Sequence, residues 1–235
     1  MKVVKVNSYE EMSAYIAERI ACQIKEKPQS VLGLATGSTP VGAYEKLCEM
    51  YKENKVDFSR VTTFNLDEYY PINPDDKNSY RYFMEEKLFS KVNIKKENIN
   101  IPSGNAPDAA LECKLYDEKL EESGGVDLQI LGIGVNGHIG FNEPADTLCS
   151  GTHLTALAKE TITSNSRFFK NESEVPTHAI TMGIGSIMKA KSIIVAANIN
   201  DKKEAIGKML DGNIMTSCPA TILCAHRDVT LVYYG

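Results

Sequence analysis

Apolar positions fall into two repeating patterns along the chain. Behind "SYEE", Met12, Ile16, Ile20 and Ile24 recur every fourth residue. That period predicts a helix, capped by Ser8 with Glu11 reaching back and ended before Pro28. Short apolar runs alternate with such helical stretches: "SVLGLA" (30–35), "VTTFNL" (61–66), "VDLQILGIG" (126–134), "HAITMGIG" (178–185), "SIIVAA" (192–197) and "VTLVYY" (229–234), after an opening "KVVKV". Between them, 41–54 (with Pro40 near the first turn), 80–89, 108–121, 186–190, 202–210 and 219–224 read as helical. Runs without strict apolar–polar alternation are expected of strands covered on both faces. The expectation is a three-layer α/β fold, a mainly parallel sheet with helices on each side. No linker or composition shift divides the chain, so residues 1–235 read as a single domain.

In open α/β sheets, ligands bind beyond the carboxyl ends of the strands. Three polar, glycine-bearing segments fall there: "ATGSTP" (35–40), "NLDEYY" (65–70) and "GVNGHIGFNEP" (134–144).

Composition narrows the partners. With 43% hydrophobic and 24% charged residues, a formal charge of -5 and no block of Lys or Arg, nucleic acid is not an expected partner; a small anion remains compatible. No apolar run approaches the roughly 18 residues of a membrane span, and "KVVKV" is too short for a signal segment. The expected location is therefore cytoplasmic, with no membrane partner. Six cysteines (22, 48, 113, 149, 218, 224) without a C-x-x-C pair read as free thiols. Four histidines (138, 153, 178, 226) show no metal-ligand spacing, so no metal is expected.

"LGIGVNGHIGFNEP" (131–144) has the glycine spacing of a dinucleotide-binding turn, but it runs into "HIGFNEP" where such a turn should open a helix. No nicotinamide or flavin is expected. The glycines read instead as tight turns crowding Asn136, His138 and Glu143 around one cavity, where a carboxylate can orient an imidazole. The competing reading is that these polar groups only hydrogen-bond the loop. Asp67 and Glu68, just past a strand, can act as base and support, or Asp67 can merely cap a turn before Pro71. "ATGSTP" can cradle a phosphate on Gly37, Ser38 and Thr39 or be an ordinary strand–helix turn; it lacks the Gly-Lys-Ser/Thr of a nucleoside triphosphate loop. Arg167 and Lys202 can add cations, or be solvated surface charges.

These segments, in order, resemble the glucosamine-6-phosphate deaminase family: "LATGSTP", "FNLDEYY", "SGNAPD", "LGIGVNGHIGFNEP", "NSRFF" and the closing strand. The resemblance spans nearly the whole chain and implies a Rossmann-like fold. It also implies an aldose–ketose isomerase that releases ammonia from glucosamine 6-phosphate without a cofactor. Carried over residue by residue, Gly37, Ser38, Thr39, Arg167 and Lys202 hold the phosphate, with Lys203 adjacent to the last. His138 opens the sugar ring, Glu143 and Asn136 orient it, and Asp67 moves the C2 proton to C1. The chain departs from the pattern at Asn136, where many relatives have Asp. Longer hexameric members carry regulatory cations soon after "FNEP", whereas this chain has Asp146, His153 and Thr155 thereabouts. The resemblance thus implies no activation by N-acetylglucosamine 6-phosphate and is compatible with a monomer. A 6-phosphogluconolactonase and a non-catalytic sugar-phosphate sensor are the alternatives. The polar stretch 145–175 is the expected lid.

Overall fold

The computed structural model describes residues 1–166, 169–171 and 174–235. Seven strands form one parallel sheet, in the order β1 (Lys2–Lys5), β10 (Val229–Tyr234), β9 (Ser192–Asn198), β6 (Leu128–Leu131), β2 (Val31–Leu34), β3 (Thr62–Asn65) and β5 (Ile99–Asn100). Helices α1 (Tyr9–Glu26), α2 (Val41–Lys52) and α3 (Tyr80–Lys87) contribute to the core on one face. On the other face lie α4 (Ala109–Glu122), α6 (Ile184–Met188) and α7 (Ile199–Leu210).

The unbroken apolar runs are explained by this layering. Leu32 and Leu34 enter the core under α1 and α2, while Val31 enters the opposite one; Ile130 and Leu131, and Ile194 and Val195, divide in the same way. A strand with a core on each side has no solvent face to mark with polar residues. The four-residue repeat of α1 is buried as expected, and Ser8 caps it by accepting from the Glu11 amide. Glu11 itself reaches one residue further than anticipated, to the amide and side chain of Asn7.

Three assignments change. The run 178–185 is not a strand of the parallel sheet: only β8 (His178–Thr181) is extended, and it is the centre of a separate antiparallel sheet between β4 (Asp67–Tyr70) and β7 (His153–Ala156). Asp67 and Glu68 therefore lie in a strand rather than a loop. Residues 219–224 form a 3-10 turn, Pro219–Ala225. The stretch expected to be a lid holds β7 and α5 (Lys159–Asn165).

Strand order reverses between β2 and β6: the chain runs outward through β3 and β5 on one side, and through β9 and β10 on the other. The loops after β2 and β6 thus flank the switch point at which such sheets bind ligands. The opposite end is fastened by Asp127, buried just before β6. Its carboxylate accepts from the Val31 amide (2.8 Å), Lys27 Nζ (2.6 Å) and Lys191 Nζ (2.7 Å), tying together the starts of β2, β6 and β9. Burial opposes its charge, but these three donors hold the carboxyl below its ordinary value. Replacing it leaves the Val31 amide without this partner, so Asp127→Ala is expected to lower the unfolding free energy by about 2 kcal/mol at neutral pH. Because the folded-state pKa is depressed, this contribution is present above the unfolded value and disappears as pH falls through the folded one. Urea titrations of both proteins at descending pH should show the gap narrowing.

Candidate active site

An open cleft of about 1680 Å³ lies at the carboxyl ends of the strands, lined among others by Thr36–Thr39, Asp67, Asn136, His138 and Lys202. Asp67 reaches it from the seam between the two sheets. The Leu66 amide donates to Leu34 O (3.1 Å), extending the parallel sheet, while its carbonyl accepts from the Met182 amide (2.7 Å) beside the antiparallel one. The next residue, Asp67, pairs across the small sheet with Thr181. It is only 6% exposed. Burial, followed by the neighbouring charge of Glu68, pushes its carboxyl up to about 8.

Glu68 does something else. Strand alternation turns it away from Asp67, and it accepts from the amides of Tyr69, Tyr80 and Arg81, each at 2.9 Å. It caps α3 and is absent from the cleft lining. Burial raises its carboxyl, with the three amides pulling the other way.

After β6 the glycine-rich segment opens no helix; the next one is α5. The loop closes on itself instead, with the Gly134 amide donating to His138 O (2.9 Å). Two glycines show what the spacing serves. A β-carbon on Gly134 would stand 2.3 to 2.4 Å from the His138 ring, so its absence makes room for the imidazole. Gly140 adopts φ +58, and a β-carbon there would meet Thr181 Oγ1 at 2.8 Å and Asp67 Oδ2 at 3.2 Å. The motif is a seat for side chains rather than a cradle for a dinucleotide.

In that seat Asn136, His138 and Glu143 meet as expected. Glu143 Oε2 lies 3.2 Å from His138 Nδ1, an electrostatic contact whose alignment falls short of a hydrogen bond. The same oxygen accepts from Asn136 Nδ2 (2.8 Å), and Asn136 Oδ1 accepts from the His138 amide (3.1 Å). Burial works to raise the Glu143 carboxyl, but His138, Thr161 and Asn136 outweigh it and hold it at about 2.

The loop after β2 places Gly37, Ser38 and Thr39 on the cleft wall ahead of α2. Tyr9 pins it: the hydroxyl donates to Ser38 O (2.9 Å) and accepts from the Gly42 amide (2.8 Å). Lys202 lines the cleft, Lys203 does not, and the backbone of α7 is non-helical at Lys202 (φ -128, ψ 17). Arg167 lies outside the described residues. Among the described residues, no group of three or more His, Cys, Asp or Glu side chains is placed to hold a metal ion.

Sequence reading missed an aromatic wall. Tyr69, Tyr80, Phe141 and Phe169 cluster with ring centroids 4.7 to 6.2 Å apart, and all four line the cleft. The signal was available: in a strand, Tyr69 shares the face of Asp67.

The Rossmann-like sheet and this carboxyl-end crevice are those of a sugar-phosphate enzyme family. The model described as glucosamine-6-phosphate isomerases/6-phosphogluconolactonase matches residues 5–232, and the chain belongs to that family. Within it, the chain is 55% identical over 232 residues to a glucosamine-6-phosphate deaminase of Thermoanaerobacter sp. (strain X514), covering 99% of this chain and 92% of that one. It is 53% identical to that of Clostridium botulinum (strain Langeland), covering 99% and 95%. A solved structure of a monomeric glucosamine-6-phosphate deaminase superposes with a TM-score of 0.97 at 43% identity, covering 100% of this chain and 97% of that one. A 6-phosphogluconolactonase from Thermotoga maritima, at 21% identity and a TM-score of 0.76 over 100% and 99%, shares the fold.

Gly140→Ala should leave the protein folded but force the loop off Asp67. A displacement of the order of 1 Å at a reacting group costs about 10²-fold in turnover. Near-native circular dichroism with turnover reduced to that extent is the expected result; a fully active variant would show that the close approach at Gly140 does not matter.

Proposed function

We propose that this chain converts glucosamine 6-phosphate and water to fructose 6-phosphate and ammonia. The observation that carries the reading is whole-chain similarity to deaminases at 53 to 55% identity, joined to a cleft lined by Asp67 and by His138, which Glu143 contacts. The relatives of known structure described as 6-phosphogluconolactonases are far more distant, and lactone hydrolysis gives a buried aspartate beside C2 nothing to do.

In this reading the phosphate sits on Gly37, Ser38 and Thr39, with Lys202 and Arg167 supplying positive charge. The loop pinned by Tyr9 is fixed before the ligand arrives, which supports this end as the anchor. His138 moves a proton between the anomeric hydroxyl and the ring oxygen, opening the pyranose; Glu143, kept ionised, holds the imidazole in place, and Asn136 braces Glu143. Asp67 then takes the C2 proton of the open-chain aldehyde, giving an enolamine, and delivers a proton to C1. The resulting ketimine adds water at C2 and expels ammonia. A C2–H beside an aldehyde is a weak acid, so the base must be held close and desolvated. The burial of Asp67 on the cleft wall supports this role. We also infer one domain over residues 1–235, acting as a monomer in the cytoplasm; support comes from the relative described as monomeric and from the lack of any helix, among the described residues, long and apolar enough to cross a membrane.

Asp67→Asn is expected to lose C2 proton exchange in deuterated water by about 10²- to 10⁴-fold while binding substrate nearly as well. Substantial deuterium in its product would assign the base elsewhere. The raised carboxyl of Asp67 gives a second test. The base is ionised only as pH climbs through its elevated value, so the acid limb of kcat/KM should lie above the ordinary carboxylate range. Glu68→Gln removes one of the two causes of that elevation, and the limb should move to lower pH. An acid limb indifferent to the Glu68 charge would detach it from Asp67.

A further inference from the structure

Glu143 divides its two oxygens between different parts of the fold. Oε2 faces its own loop, meeting Asn136 Nδ2 and His138 Nδ1. Oε1 accepts from Thr161 Oγ1 at 2.5 Å, across from α5. Thr161 is 5% exposed and lines the same cleft. A carboxylate bonded through one oxygen can still turn about its terminal torsion; bonding the second oxygen from an independent element removes that freedom. One helical turn further on, Asn165 hydrogen-bonds the Tyr69 hydroxyl, on the strand that begins with Asp67. Between them, Ile162 packs against the cluster containing Tyr69 and Phe141. The inner face of α5 thus touches both walls of the cleft.

We propose that Thr161 is a positioning residue for the acid–base pair: its hydroxyl fixes the orientation of Glu143, and through it the His138 ring, from a helix that also braces the wall beside Asp67. This rests on reading His138 and Glu143 as that pair. The charge state fits. Among the described residues, the groups contacting Glu143 are His138 and Asn136 from its own loop and Thr161 from α5, and together they overcome the burial that would otherwise raise its carboxyl. Without the hydroxyl, Oε1 stays in a largely dry pocket without this donor. The carboxyl then shifts upward and its orientation loosens.

The test compares Thr161→Val, which keeps the shape and removes the donor, with Thr161→Ser, which restores the hydroxyl. A hydrogen bond to a charged group implies about a tenfold fall in kcat for the valine variant, with KM nearly unchanged. The acid limb, set by Asp67, should stay in place, and the serine variant should recover most of the loss in kcat. Should the valine variant fail to fold, Thr161→Ala takes its place. Wild-type kcat in the variant lacking the hydroxyl would overturn the proposal, and so would a serine variant as impaired as the valine one, since the methyl rather than the hydroxyl would then matter. A carbon-13 titration of the Glu143 carboxyl in wild type and variant needs no substrate: an upward shift supports the contact, and an unmoved titration overturns it. A wild-type protein inert toward glucosamine 6-phosphate would defeat the functional reading while leaving this titration decisive for Thr161.

Discussion

The backbone of Leu66 belongs to two sheets. Its amide completes the parallel ladder through Leu34 and its carbonyl is taken by Met182 beside the antiparallel one, so the chain crosses from one to the other within a single residue. Everything particular about Asp67 follows from that crossing. The side chain emerges where two sheets meet, with little water around it and Thr181 opposite, and its burial comes from the fold rather than from a flexible loop closing over it. The parallel sheet supplies the switch-point crevice, and the small sheet supplies the wall that carries the carboxylate into it.

The glycine-rich loop after β6 answers to the same constraint from the other side. It must pass close enough to Asp67 that a side chain at Gly140 would collide, and it must leave space at Gly134 for an imidazole. Asn136 fits this crowding better than the aspartate expected from the resemblance. Its amide group donates to Glu143 while its oxygen accepts from the His138 backbone, using both ends at once. A carboxylate there would face Glu143 oxygen to oxygen and would need a shared proton to stay. The chain has therefore placed its single negative charge on Glu143, leaving the neighbour to act as a neutral brace.

Much of the architecture was legible because burial on two faces leaves a plain mark: apolar runs without alternation, separated by helical periods. What escaped was set by pairing at a distance. "HAIT" opens an apolar run resembling those of the central strands, and nothing in its four residues says that its partners are "DEYY" and "HLTA" rather than the large sheet. Missing that pairing hid both the strand nature of Asp67 and the Tyr69 beside it. The meeting of Asn136, His138 and Glu143 was readable from crowding alone, since eight residues with two glycines among them have few ways to spread. Glu68 was not, because its distant partners are the first amides of a helix that begins twelve residues further on. Thr161 lies eighteen positions from Glu143 in a stretch of weak period, and no local pattern points from one to the other.

Asp67 and Glu143 rest in opposite states. Near neutrality Glu143 is an anion stabilised by the donors around it, whereas burial favours the protonated form of Asp67. The crevice therefore presents one acidic charge fewer than its composition suggests, which lessens the repulsion a phosphate ester meets there. In the proposed reaction, the positive charge of the sugar's ammonium lowers the Asp67 carboxyl, and its proton is released to solvent. The base would then be switched on by its own substrate, at the carbon where it is needed.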